Sequence, residues 1–230
     1  MSYDIIKQLQ KTQAASRTLL DLDNEARSNL VIKIADAIWN ERDILLVENQ
    51  KDLNKMDDTN PKKDRLLLNE ERIAGMVQDA KNVAALPDPT GEVQLEREIE
   101  QGLQLQKIST PLGVVAIIYE ARPNVTLDAI SLCLKSGNAV VLRGGTDAEE
   151  SNIATISVVH EVLEDLGLSP DLVHLMPIDR EYVKPMLEAE RYIDVVIPRG
   201  SKGLINFVRE HSKIPTIETG AGVCHTYVHE

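Results

Sequence analysis

A chain of 230 residues with 43% hydrophobic and 27% charged residues can bury a sizeable core and has the makeup of a globular protein. Its net charge of −12 and 3% aromatic content argue against a nucleic-acid partner, which needs clustered cations and stacking surfaces. Two cysteines, Cys133 and Cys224, make no disulfide framework, and the opening MSYDIIKQLQKTQ has no basic-then-apolar leader pattern. No apolar run reaches the ~18 residues of a membrane span, so a soluble protein of the reducing cytoplasm is expected.

Residues 1–90 read as helices. Leu30, Val31, Ile34, Ile38 and Trp39 recur at three-to-four spacing with charge on the other face. Asn60-Pro61 has the form of a cap followed by a first-turn proline, and Asn69 is positioned to cap a helix carrying Ile73, Met76, Val77, Ala80 and Val83. That stretch stops at Leu86-Pro87-Asp88-Pro89. Residues 91–110 alternate loosely between apolar and polar (Leu95, Ile99, Leu103, Leu105) around Gly102, which predicts a hairpin.

From residue 111 to 230 the pattern changes. Short apolar runs at Val114–Tyr119, Ala139–Leu142, Val173–Met176, Val195–Ile197, Ile214–Ile217 and His225–Val228 read as strands. Helical patterns fall between them near Val125–Lys135, Asp147–Leu166, Arg180–Glu190 and Ser201–His211. Thr146-x-x-Glu149 has the form of a capping box, with Gly167 and Pro170 as the stop. Fully apolar strands alternating with helices predict an α/β fold, a mostly parallel sheet with helices on both faces.

Ligands of such sheets bind beyond the C-terminal strand ends, near helix N-termini. Four turns meet that description: Tyr119–Thr126, Arg143-Gly144-Gly145-Thr146, Pro198–Gly203 and Glu218–Gly222. Glycine or proline shapes each, and three carry arginine or lysine, so backbone N–H groups there can cradle phosphate. No G-x-G-x-x-G follows the first strand and no G-x-x-x-x-G-K-[ST] occurs, which disfavours a standard Rossmann dehydrogenase and a P-loop NTPase.

The blocks Pro111–Val114, Ile118–Thr126 (with Glu120-Ala121-Arg122-Pro123-Asn124), Ser131–Val140, Leu142–Gly145, Ile197–Gly200 and Ile214–His225 together resemble the γ-glutamyl phosphate reductase signature. The similarity runs from about residue 5 to the end and corresponds to the N-terminal portion of that family. The resemblance implies the aldehyde dehydrogenase superfamily, with NADPH across a five-stranded sheet and no glycine fingerprint. It also implies the family's chemistry: a cysteine of a second domain attacks the acyl phosphate of L-glutamyl 5-phosphate, and hydride then yields glutamate 5-semialdehyde for proline biosynthesis.

By position, Arg143 matches a basic residue set against the adenosine ribose, with Gly144 in the same turn. Gly200 and Ser201 match the turn facing the cofactor pyrophosphate. Asn124 resembles the asparagine whose amide joins the oxyanion hole. Glu218 matches the general base of hydrolytic members; a reductase has no thioester to hydrolyse, so Glu218 alternatively shapes the site. Arg122 is the candidate for an anion contact with substrate carboxylate or phosphate, against a surface ion pair with Glu120.

The family's nucleophile lies beyond residue 230, so the catalytic domain is expected to be absent from this chain. Cys133 falls inside a helix and Cys224 at a strand start, where each acts as a small hydrophobe. His225 and His229 lie ~13 Å apart along a strand, so no metal site is expected. A non-catalytic dinucleotide-binding module and an enzyme of unphosphorylated aldehydes are the competing readings. The hairpin resembles an element through which superfamily members join subunits, so a homodimer or higher self-association is expected.

Overall fold

The computed structural model describes residues 3–120, 122–218 and 226–228. Five helices come first: α1 (Ile5–Ser16), α2 (Asn24–Asn40), α3 (Arg42–Asn54), the single turn α4 (Lys63–Leu66) and α5 (Glu70–Ala84). Asp4, Asp23 and Asn69 cap α1, α2 and α5 by accepting the backbone N–H of Lys7, Ala26 and Arg72. The stripe Leu30, Val31, Ile34 and Ile38 is buried, while Trp39 is only partly covered and carries the Arg42 guanidinium 4.7 Å above its ring. Asn60 opens no helix; its Oδ1 accepts from Lys62 N at 3.0 Å, closing a turn, and α4 begins at Lys63.

Strands β1 (Val93–Glu98) and β2 (Gln104–Ile108) form the expected hairpin, paired antiparallel from Val93↔Ile108 to Glu98↔Gln104. Gln101 and Gly102 reverse the chain with φ of 63° and 80°, and Ile99 N donates to Leu103 O at 2.8 Å. Every residue of both strands is exposed. Such a ribbon has little stability of its own.

The main sheet holds β3 (Val114–Tyr119), β4 (Ala139–Arg143), β5 (Val173–Leu175) and β6 (Val195–Arg199), all parallel, in the order β5-β4-β3-β6. All six residues of β3 are buried, the mark of a strand covered on both faces. Helices α6 (Pro123–Lys135) and α7 (Glu149–Asp165) lie on the sheet and are backed by α2, α3 and α5. The chain steps outward from β3 to β5, then returns to the other side of β3 as β6, after α8 (Val183–Leu187). With right-handed crossovers this reversal puts helices on opposite faces and makes the β3–β6 crevice a topological switch point. Helix α9 (Lys202–His211) packs against β6.

Four local expectations need correction. The strand expected at Ile214–Ile217 is a single parallel bridge, Thr216 beside Val196, because Pro215 has no N–H to extend the ladder. The helix expected near Arg180–Glu190 shrinks to a 3-10 turn at Arg180–Tyr182 and the five residues of α8. The Thr146 capping box does not form. Instead the buried Asp52 carboxylate of α3 accepts from Glu150 N (3.1 Å) and Ser151 N (2.8 Å), a charge at the positive end of α7 that a neutral hydroxyl does not match. Of the strand expected at His225–Val228, His225 lies outside the described residues and 226–228 carry no regular structure.

Candidate functional site

Because β3, β4 and β6 are parallel, their following turns come out at one rim of the sheet. The turns after β3 and β6 are fastened together. Glu120 N donates to Arg199 O at 3.3 Å, and Glu120 Oε1 accepts from Ser201 N at 2.8 Å. Gly200 permits this closeness, since a Cβ there would lie 2.8 Å from Glu120 Cγ. Ser201 is the N-cap of α9, its hydroxyl accepting from Leu204 N. A carboxylate oxygen of the chain itself thus sits on a helix N-terminal N–H, the kind of position that suits an anion. The Ser201 N–H holds the Glu120 carboxyl below its ordinary range, and Lys62 and Arg122 add to the effect.

A cavity of about 380 Å³ lies over the rim, with Lys62, Arg122, Arg143 and Arg180 in its wall beside Gly145 and Thr146. A second, of about 460 Å³, is bounded by Tyr119, Glu120, Arg199, Gly200 and Ser201 at the switch point. A third, of about 350 Å³, runs between α5 and the start of α6 and takes in Asn124. Arg65 and Arg122 border all three. Among the described residues Lys62, Arg65, Arg122 and Arg180 make no ion pair. Arg122 is exposed and forms no ion pair with Glu120 or any other described residue.

Arg143 is half-buried at the end of β4 and donates to Ile178 O at 2.8 Å, while its Nε is buried without a hydrogen-bond partner. Burial, with Arg180 nearby, lowers the guanidinium's pKa. An orphaned buried donor beside a cationic cavity fits a phosphorylated ligand. Gly144 turns the other way. A Cβ there would lie 2.3 Å from Asn152 Nδ2, so packing against the buried Tyr119–Thr126–Asn152 hydrogen-bond chain accounts for this glycine. Gly144 also borders a cavity of about 180 Å³ between the end of β5 and the start of α7, and its neighbour Gly145 borders the rim cavity.

Asn124 is exposed in the first turn of α6, its Nδ2 reaching Asp128 Oδ2 at 3.5 Å. Glu218 stands apart from these groups in a forked pair with Arg209, which holds its carboxyl below the ordinary range. The rest of its turn, Thr219–Gly222, lies outside the described residues, as does Cys224. Cys133 is buried in α6, and burial pushes its thiol up to about 12.

Lys62 and Arg65 have no motif in the sequence, and no local pattern marks them. Tertiary hydrogen bonds bring them to the rim. Asn49 of α3 donates to Leu66 O at 2.9 Å and to Ser151 Oγ at 3.0 Å, and accepts from Leu68 N at 2.8 Å. Leu66 is clasped by Leu53 and Ala148. Helix α4 is thereby wedged against the start of α7 with Arg65 over the strand ends.

The layered parallel sheet and its rim define an α/β domain of the aldehyde dehydrogenase type; a probable aldehyde dehydrogenase from Listeria monocytogenes superposes on 94% of this chain and 45% of its own with a TM-score of 0.73 at 15% identity. A γ-glutamyl phosphate reductase from Thermotoga maritima superposes on 95% of the chain and 54% of its own with a TM-score of 0.90 at 36% identity. The γ-glutamyl phosphate reductase of Bacteroides thetaiotaomicron is 53% identical over 218 residues, 95% of this chain and 52% of that protein. No family model matches the sequence. The chain belongs to the γ-glutamyl phosphate reductase family as an N-terminal portion, spanning about half the length of the curated relatives it matches.

Proposed function

We propose that this chain is the cofactor-binding side of a cytoplasmic NADPH-dependent reductase that converts L-glutamyl 5-phosphate to L-glutamate 5-semialdehyde and phosphate in proline biosynthesis. One observation carries the reading: cations without an ion pair among the described residues gather at the switch-point rim of a chain whose net charge is −12. Cofactor and substrate both bring phosphate, and a local basic cradle overrules the global field at short range.

Arg143 would hold the adenosine ribose side of the cofactor, and Gly200 and Ser201 its pyrophosphate, with the N-terminus of α9 adding its dipole. The cofactor supplies hydride when bound. Arg122 contacts an anionic group of the substrate, its carboxylate or its phosphate, and the Asn124 amide donates to the oxygen on which negative charge builds. Glu218, kept charged by Arg209, does not act as a base. On this reading the attacking sulfur comes from outside this chain, and Cys133, buried in α6 with its thiol pushed up to about 12, does not supply it. The 230 residues alone accordingly bind cofactor without turnover.

Self-association through the hairpin belongs to the same reading, because Leu95, Leu103 and Leu105 are exposed on a ribbon that lacks support of its own. A monomeric sedimentation profile at micromolar concentration would contradict it. For the central reading, NADPH is titrated against the chain while its fluorescence and the protein Tm are followed. Saturable binding with a rising Tm is expected, tighter for NADPH than for NADH. Absence of binding refutes the reading. In an enzyme completed by its catalytic domain, acyl phosphate is the expected substrate, and a preference for free aldehyde points to the unphosphorylated-aldehyde alternative.

A further inference from the structure

The third cavity, between α5 and the start of α6, has a composition that phosphate recognition does not explain. Its wall carries both signs of charge. Asp64 and Arg72 neutralise each other at 2.7 Å. Arg65, Arg122 and Asp79 are left, and none of the three makes an ion pair among the described residues.

Asp128 stands just behind, within 3.5 Å of the Asn124 amide. Burial and the charge of Asp79 raise its carboxyl pKa, with Arg199 opposing. Asp79 in the wall with Asp128 behind Asn124, and the wall guanidiniums Arg65 and Arg122, without an ion pair among the described residues, together complement a zwitterion.

Gly75 is an independent sign. It sits inside α5, where glycine destabilises a helix relative to alanine. A Cβ at this position would meet nothing within 4 Å, so no packing in the chain requires the glycine. The added carbon would project into the cleft that Gly75 borders. Gly75 and Asp79 are four residues apart and share one helix face.

We propose that this cleft receives the amino-acid end of the substrate, with Asp79 and Asp128 taking its α-ammonium group and Arg65 and Arg122 its α-carboxylate. The inference takes its substrate from the reading above, that a γ-acyl phosphate of an amino acid is reduced at this rim. It fixes the orientation of that substrate. The head group lies between α5 and α6, and the acyl phosphate points past Arg122 toward the Gly200–Ser201 turn.

The test is a heteronuclear NMR titration of the chain with L-glutamate, with glutarate, which lacks the ammonium group, and with 4-aminobutyrate, which lacks the α-carboxylate. L-Glutamate is expected to saturate in the millimolar range and to shift the Asn124 side-chain amide. Each analogue is expected to bind about tenfold more weakly. Asp79→Asn should erase the preference for L-glutamate over glutarate. Gly75→Leu should fill the cleft and abolish binding while Tm holds or rises, because leucine favours the helix. Equal affinity for L-glutamate and glutarate, no saturable L-glutamate binding, or binding unchanged in both variants overturns the inference. An NADPH titration of the same sample separates the two ideas. NADPH binding without L-glutamate binding overturns this inference alone, whereas L-glutamate binding without NADPH binding upholds it and removes the reading of the cofactor rim.

Discussion

At the N-terminal rim of the main sheet, Arg27 is 5% exposed and donates to Asp88 at 2.7 Å and to Thr90 at 3.0 Å. Nearby, Lys135 donates to Ser28 at 2.7 Å, Asn138 accepts from Gly113 N, and Asp194 accepts from Val114 N. At the C-terminal rim of the same strands, Lys62, Arg65, Arg122 and Arg180 have no ionic partner among the described residues, and Arg143 Nε is buried without an acceptor. One end of the sheet satisfies its cations and the other leaves them open. A chain that can pair Arg27 so fully has no difficulty making salt bridges, and under the proposed function a ligand completes the pairing of the cations that have no ionic partner among the described residues at the other rim. On the proposed reading the N-terminal rim serves stability and the C-terminal rim serves binding.

That contrast can be broken by substitution. The largest effect is expected from Asp88→Ala, which leaves the buried Arg27 charge without its counterion and should cost about 3 kcal/mol, read as a lower urea midpoint with NADPH affinity retained once folded. A loss below about 0.5 kcal/mol would show that the N-terminal rim is not supported in this way.

A second stability effect should come from the outer edge of the sheet. His174 on β5 shares a hydrogen bond of 2.6 Å with the Tyr3 hydroxyl, and burial lowers its pKa to about 4. In the unfolded chain it titrates near 6.5, so between those values the unfolded state binds the extra proton. Its contribution to stability is complete above pH 6.5 and is lost as pH falls toward 4. Acidification from pH 7.5 to 5 should remove about 2 kcal/mol through this group, and His174→Gln should flatten that part of the profile. An unchanged slope in the variant contradicts the assignment.

Arg65→Ala and Arg122→Ala should behave in the opposite manner to Asp88→Ala. Each is expected to weaken NADPH or L-glutamate binding about tenfold while stability moves by no more than about 0.5 kcal/mol. Comparable losses of stability at both rims would erase the distinction. The smallest expected effect is a gain: Glu120→Gln removes a negative charge from the Ser201 N–H and should tighten NADPH binding about threefold, measured by fluorescence titration. Weaker binding would mean that Glu120 assists the ligand rather than competing with it.

The two rims also differ in how far the sequence reveals them. The runs Val114–Tyr119 and Ala139–Leu142 announce buried parallel strands, and the turns that follow must share one rim once the strands are parallel. Asn69 marks its helix start because its partner, Arg72 N, is three residues away. Arg65 carries no such mark, since it reaches the rim through Asn49, Leu66 and Ser151, partners 17 and 102 residues from Asn49. The cap of α7 by Asp52 is hidden for the same reason. Gly144 illustrates the reverse problem. A glycine in a strand-to-helix turn looks made for a ligand, and this one does border a cavity, but the nearby Asn152 side chain, invisible in the local sequence, requires it as well. Local chemistry is legible along the chain; long-range pairing is not.

The most direct test of the account is to locate NADPH on the protein by following backbone amide shifts during titration. The account predicts that shifts concentrate at residues 119–124, 143–147 and 199–203, with 62–65 responding as the cations engage, while Arg27, Asp88 and the hairpin stay still. Shifts centred on the N-terminal rim or the hairpin, or none that saturate, would contradict it.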